Sequence, residues 1–299
     1  MIRVGTRGSK LSLTQTRLIL DAFNDLEFEI KIIKTKGDND ARPLYAINSK
    51  GIFEKEIDLA LLNNEIDIAV HSMKDIPSEL PKGLTIASVP KREVPNDVLV
   101  SRNKRLDELE PNSIIGTSSL RRAVQLKHIR DDLIIKDIRG NVETRINKML
   151  NNQYDAVILA EAGLRRLGLE DYITQRFDPD LFLPAPCQGT LAIVAREKDE
   201  ELIKTLKKIE DINSRLESVA ERSLLAKMNA GCKFPLGAFA KVYDNKIRLH
   251  ASICSYDASK RIDVTITDEK SNAEKVGVKV SEELISKGAL ELAKEWRYG

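Results

Sequence analysis

Apolar positions along the chain fall into two alternating series. Ile2–Gly5 reads as a strand, Leu11–Asp25 as a helix and Phe28–Thr35 as a second strand. Phe53, Ile57, Ala60 and Leu61 share one helical face within Phe53–Asn63, and Ile68–Val70 returns as a short apolar run. This rhythm predicts a mostly parallel sheet with helices on both faces. A second series begins near Asn96: Ser113–Gly116, Leu133–Ile138 and Ala156–Leu159 read as buried strands, with helices over Ser119–Arg130 and Val142–Asn152 between them. Pro90–Pro95 forms a crossover between the two units, and Leu191–Ala195 reads as a strand returning to the first sheet.

The last third changes pattern. Asp211–Met228 predicts a helix, followed by a turn over Asn229–Gly237. Ala238–Tyr243, Lys246–Ile253 and Arg261–Thr267 alternate as three antiparallel strands, with Asp244-Asn245 as a hairpin turn. Asn272–Trp296 closes as a helical pattern weakened by Gly277 and Gly288. The expected class is therefore α/β: two α/β domains flanking a hinged cleft, periplasmic-binding-protein-like in arrangement, plus a small C-terminal α+β domain with a three-stranded antiparallel sheet. The expected boundaries are 1–92 with 189–209, then 96–186, then 212–299.

A chain of 299 residues is long enough for two or three cores. No segment has the continuous apolar length of a membrane span, and the N-terminus lacks the pattern of a signal peptide, so a soluble cytoplasmic protein is expected. The net charge of +2 excludes a general nucleic-acid binder. Charge is uneven, however: Ser113–Arg166 holds ten Lys/Arg against six Asp/Glu, and arginine suits planar carboxylates. Cys187, Cys232 and Cys254 are odd in number and widely spaced, so neither a disulfide framework nor a metal site is expected.

Chemistry concentrates where strands end. Asp67–Pro77 (D-I-A-V-H-S-M-K-D-I-P) delivers His71, Ser72, Lys74 and Asp75 beyond an apolar run. In open α/β sheets ligands sit at such carboxyl ends. The plain alternative makes Asp75 a turn cap and Lys74 a solvated charge. Thr117-Ser118-Ser119-Leu120-Arg121-Arg122 follows a strand and opens a helix, where free N–H groups favour anions. Arg139 with Arg145, and Arg7 with Ser9, recur at matching junctions. The recurrence predicts a cleft for a polyanionic substrate. The long Gly/Asn/Asp/Pro segment Gly37–Gly51 is either a lid or an ordinary excursion. Cys232, in A-G-C-K-F-P-L-G, is either a buried structural thiol or a reactive one. His71, His128 and His250 are too scattered for a metal site or a triad.

Seven runs resemble the porphobilinogen deaminase (hydroxymethylbilane synthase) family, in the family's order and across essentially the whole chain. They are T-R-G-S at Thr6–Ser9, S-K-G-I-F-E-K-E at Ser49–Glu56, Asp67–Pro77, G-T-S-S-L-R-R at Gly116–Arg122, R-G-N-V-E-T-R at Arg139–Arg145, A-G-L-R-R-L-G at Ala162–Gly168 and G-C-K-F-P-L-G at Gly231–Gly237. The resemblance implies a monomeric, three-domain transferase of tetrapyrrole and haem biosynthesis. It joins four porphobilinogens head to tail with loss of ammonia, then hydrolyses the product to linear hydroxymethylbilane. A dipyrromethane cofactor is implied, held by a thioether at Cys232.

By position the resemblance makes Asp75 the catalytic carboxylate and assigns Lys74, Thr117, Ser119, Arg121, Arg122 and Arg145 to the cofactor. It assigns Arg7, Ser9, Arg139, Arg166 and Gln188 to the substrate, and Lys50 and Phe53 to a lid. One departure is Cys187, where the family pattern has glycine before Gln188-Gly189. Two other readings fit the arginines less well. A non-catalytic two-lobed carboxylate-binding module needs no covalent anchor, and a phosphate-ligand transferase lacks a Walker pattern here.

Overall fold

The structure is a computed structural model that describes residues 1–35, 54–228 and 235–292. Lys50, Phe53, Cys232 and the Gly37–Gly51 segment therefore lie outside the described residues, as does most of the Asn229–Gly237 turn. The chain forms two compact units, one drawn from 1–41, 49–93 and 189–215, the other from 42–48, 94–188 and 216–299.

In the first unit β1 (Ile2–Thr6), β2 (Phe28–Ile32), β3 (Ile68–Ser72), β4 (Leu84–Ser88) and β10 (Leu191–Arg196) make a five-stranded sheet ordered β2-β1-β3-β10-β4. Leu191–Ala195 does return to this sheet, as expected, with Leu191 opposite Ser72. The central strands β3 and β10 are buried almost end to end, which explains why they read as continuous apolar runs. Helix α1 (Lys10–Leu20) starts where Ser9 accepts from the Ser12 N–H, and Ile19 packs with Val4, Ile68, Val70 and Ile193 on one face. Helix α2 (Lys55–Leu62) packs across β1, β3, β4 and β10, burying Ile57 and Leu61.

The second unit holds β5 (Asp97–Ser101), β6 (Ile114–Gly116), β7 (Ile134–Lys136), β8 (Ala156–Ala160) and β9 (Ile173–Arg176), ordered β7-β6-β8-β5-β9. The two sheets share one plan: three parallel strands, then an antiparallel strand, then an edge. In the first sheet the antiparallel strand is the returning β10; in the second it is the entering β5. The expected mostly parallel sheet is found in both units, four strands of each sharing one direction and a single strand reversed. β5 and β10 each run antiparallel to both neighbours, so half the pairings in each sheet are antiparallel. Helices α3 (Leu120–Ile129), α4 (Val142–Leu150), α5 (Glu161–Leu167) and α6 (Glu200–Leu206) follow strands, α6 belonging to the first unit.

Helix α7 (Ile212–Lys227) begins in the first unit and continues from Leu216 in the second, whose C-terminal part adds the meander β11 (Leu236–Tyr243), β12 (Lys246–Cys254), β13 (Arg261–Glu269), and α8 (Ala273–Ser286). In β12, Ile247, Leu249, Ala251 and Ile253 alternate inward, as a half-buried strand requires. The terminal helical pattern is broken at Gly288, where φ is 95°: α8 ends at Ser286 and residues 289–292 are helical again. β11 is a sheet edge, and its outward N–H groups are met without a further strand. Ala238 N donates to Pro184 O at 3.0 Å, Ala240 N to Glu221 Oε1 at 2.7 Å and Val242 N to Glu217 Oε1 at 3.0 Å. Glu217 and Glu221 lie one turn apart on α7, and the second oxygen of Glu221 accepts from Cys187 N.

Candidate active site

In the first unit the strand ends carry the expected groups, with two adjustments. β3 continues through His71 and Ser72 rather than ending at Val70. Lys74 and Asp75 then sit on a single tight turn, Met73–Asp75. Met73 is buried, its N–H donates to Thr190 O at 2.9 Å, and Ile76 N closes the turn on Met73 O at 3.1 Å. Anchored on both sides by buried Met73 and Ile76, the turn presents Lys74 and Asp75 to solvent. An exposed carboxylate on a fixed backbone suits a group that must meet a ligand.

Beneath this turn the polar groups are buried. Gln15 on α1 donates through Nε2 to Ser72 Oγ at 2.9 Å. Its inward direction was legible, because it shares a helix face with Ile19; its partner was not. His71 is pushed down to about 4 by burial and then by the Arg7 guanidinium, so its imidazole is neutral. Its Nε2 has no hydrogen-bond partner among the described residues. Ser9 caps α1 and donates its hydroxyl to Ser12 Oγ at 2.8 Å.

In the second unit Thr117, Ser119, Arg121 and Arg122 gather where β6 meets α3, but the arginines have an unforeseen partner. Asp97, fully buried at the start of β5, takes Arg121 Nη1 on Oδ2 at 2.7 Å. Its Oδ1 takes Arg122 Nη2 at 2.7 Å and Gln188 Nε2 at 2.8 Å. Arg121 also reaches Leu183 O at 2.5 Å and Arg122 reaches Ile158 O at 3.1 Å. Burial by itself would raise the Asp97 pKa, yet the two guanidinium groups hold it far below the usual carboxylate range. Ser119 caps α3 from the N-terminal side and Thr117 Oγ1 accepts from Ser119 N at 3.2 Å. Nothing in the sequence near Asn96-Asp97 announces this role.

Arg139 and Arg145 flank the next junction, where Asn141 caps α4 by accepting from Thr144 N at 2.8 Å. Arg145 Nε donates to Gly140 O at 2.8 Å. Its pKa is pushed down to about 10, first by burial and then by the guanidinium groups of Arg122 and Arg139. Arg139 keeps Nε and Nη2 buried with no hydrogen-bond partner among the described residues. Three guanidinium groups in mutual repulsion, two donors of one unmet, favour an occupant bearing several carboxylates. The dipyrromethane, with an acid pair on each ring, fits that requirement. Arg166 lies half-buried on α5. Among the described residues no cluster of metal-ligating side chains exists, and no helix is long and apolar enough to cross a membrane.

Comparison with known proteins shows the family. Residues 2–204 match the family model described as the dipyrromethane cofactor-binding domain of porphobilinogen deaminase, and residues 215–286 match its C-terminal domain. A probable porphobilinogen deaminase of Nitrosopumilus maritimus is 50% identical over 98% of this chain and 96% of its own. A porphobilinogen deaminase of a Geobacillus species is 46% identical over 96% and 94%. A probable porphobilinogen deaminase of Hyperthermus butylicus is 44% identical over 95% and 96%. Solved structures match distantly: the Bordetella pertussis BvgS periplasmic VFT2 domain shares 16% identity, covering 70% of this chain and 86% of that one at a TM-score of 0.41. With family models covering both halves and near full-length relatives at this identity, the chain belongs to the porphobilinogen deaminase family.

Proposed function

We infer that this chain is a hydroxymethylbilane synthase. It condenses four porphobilinogens head to tail on a dipyrromethane primer, releases one ammonia per unit, and hydrolyses the product to linear hydroxymethylbilane. When bound, the dipyrromethane supplies the electron-rich pyrrole carbon on which the chain grows. The observation that carries the reading is the guanidinium group of Arg122, Arg139 and Arg145, with donors of Arg139 unmet. Each added unit brings an acetate and a propionate, and such a group neutralises and orients them.

The roles divide by residue. Asp75, exposed on its anchored turn, accepts pyrrole N–H groups, stabilises the cationic intermediate and assists proton transfer. Lys74, Thr117, Ser119, Arg121, Arg122 and Arg145 hold the primer's carboxylates, with Cys232 as its thioether anchor. Asp97 and Gln188 act on Arg121 and Arg122 by fixing their orientation, which adds a positioning role to Gln188. Arg7, Ser9, Arg139 and Arg166 receive the incoming substrate, and Lys50 with Phe53 belongs to a lid. Three domains, 1–92 with 189–209, 96–186 and 212–299, carry these parts in a cytoplasmic monomer without nucleic-acid partners.

The test is direct. The purified chain incubated with porphobilinogen releases four ammonia per linear tetrapyrrole. Saturable porphobilinogen binding with no ammonia would leave only a carboxylate-binding module.

A further inference from the structure

Arg139 keeps two buried donors unmet among the described residues, and the backbone beneath it is tied at every carbonyl from Asp137 to Gly140. Asp137 O accepts from the Tyr154 hydroxyl at 2.6 Å. Ile138 N donates to Ser118 Oγ at 3.0 Å, and the same hydroxyl donates to Ile138 O at 2.8 Å. Arg139 O accepts from Lys148 Nζ at 3.0 Å, and Gly140 O from Arg145 Nε at 2.8 Å. These four residues lie between β7, which ends at Lys136, and α4, which starts at Val142. Carbonyls outside strands and helices are commonly left to water; here side chains take all four.

We propose that Tyr154 and Lys148 are positioning residues for the reaction: by holding Asp137 O and Arg139 O they fix the backbone that carries the Arg139 guanidinium, so that its donors stay unmet until a substrate carboxylate arrives. The inference rests on the reading of Arg139 as a substrate-binding residue.

Three observations fit this arrangement. The phenol of Tyr154 has one proton, and Asp137 O takes it, so Tyr154 keeps no donor for a substrate and acts through the backbone. The ties are braced from both sides: the Tyr154 ring lies so close to β6 that a Cβ on Gly116 would stand 2.9 Å from Tyr154 Cδ1, and the Ile138 side chain is buried. Gly140, next to Arg139, holds a φ of 116°, and a Cβ there would come within 2.6 Å of Thr144 Cγ2 on α4. A guanidinium on a slack loop would fold back onto the nearest carbonyls; on this segment those carbonyls are already engaged. Holding the loop before binding lowers the ordering cost that a carboxylate would otherwise meet. Tyr154 and Lys148 both lie outside the seven motif runs.

The experiment is a double-mutant cycle in steady-state kinetics with porphobilinogen: the parent chain, Tyr154→Phe and Lys148→Met, each repeated in combination with Arg139→Lys. That background keeps a charge at Arg139 but loses the guanidinium fork. Ser118 is left unaltered, because Thr117 and Ser119 beside it hold the primer. Tyr154→Phe and Lys148→Met are each expected to raise KM about three- to tenfold, with kcat changing far less. Combined with Arg139→Lys, the same changes should add less than about twofold. Where saturation is not reached, kcat/KM at low substrate is compared instead. A full effect that persists beside Arg139→Lys would mean that the altered residue acts on the substrate or the fold directly, and would overturn its positioning role. An unchanged KM in both variants, whatever their unfolding midpoints, would overturn the proposal entirely. A parent-like KM in Arg139→Lys alone would instead overturn the substrate reading of Arg139.

Discussion

Arg122 holds a single oxygen of Asp97 with two of its nitrogens, Nε at 3.0 Å and Nη2 at 2.7 Å to Oδ1. Arg121 occupies the other oxygen, so one buried carboxylate fixes both arginines of the R-R pair. Removing the charge strands two buried cations. Asp97→Asn should cost about 3–5 kcal/mol, read as a lower urea midpoint, and should reduce primer occupancy through misdirected Arg122. A parent-like midpoint would mean that the two guanidinium groups are satisfied by other partners.

Asp67 gives the chain an acid-sensitive joint. Arg3 reaches it through Nε at 3.0 Å and Nη2 at 2.7 Å, and Arg196 through Nη2 at 3.1 Å. The Arg3 side-chain hydrogen bonds, outweighing burial, bring Asp67 down to about 2 from 3.8. A lowered folded pKa means stability that is present above the unfolded value and lost as pH falls through the folded one. The loss should amount to about 2 kcal/mol between roughly pH 4 and 2. Asp67→Asn should be weaker than the parent at pH 6, with the difference shrinking as pH falls towards 2; a constant difference across that range would count against the assignment.

Gly277 reads in the sequence as a weak point of the last helix, and the structure reverses that meaning. A Cβ there would collide with Ala220 O on α7, lie 2.8 Å from Ser223 Cβ and 2.9 Å from Leu224 N. Gly277 is what lets α8 approach α7. Gly277→Ala should therefore destabilise by about 1–3 kcal/mol despite alanine's advantage of roughly 1 kcal/mol in helix propensity. Thermal unfolding decides the sign, and a higher Tm would refute the close-packing account.

The legible parts of the fold were those with local causes. Apolar runs marked β1, β3, β6 and β8, helical spacing marked α1, α3 and α4, and the return of Leu191–Ala195 followed from its apolar character. β4, β5 and β9 went unnamed because each is short and set among proline or charged residues. The antiparallel direction of β5 and β10 depends on long-range topology, which hydrophobic period does not encode. At the site, motif residues surfaced at strand ends as expected, yet Asp97 lies 24 and 25 residues from its arginines and left no local trace. Cys187, read as a departure from glycine, does occupy the left-handed region with φ of 61°, fully buried, so the backbone there keeps the conformation that glycine favours.

Asp75 separates chemistry from stability most cleanly. Its side chain is exposed and its turn is fixed by Met73 and Ile76, so Asp75→Ala should leave the unfolding midpoint within about 0.5 kcal/mol of the parent. Turnover should fall by two or more orders of magnitude, as loss of a charge-stabilising and proton-transferring group implies, while primer occupancy persists. Near-normal turnover in this variant would remove Asp75 from the mechanism.

The most direct measurement is the intact mass of the purified chain beside that of Cys232→Ser, each before and after incubation with porphobilinogen. The account predicts a parent mass raised by two linked porphobilinogen-derived units and a bare mass in the variant. A parent chain that stays bare after incubation and releases no ammonia would contradict it.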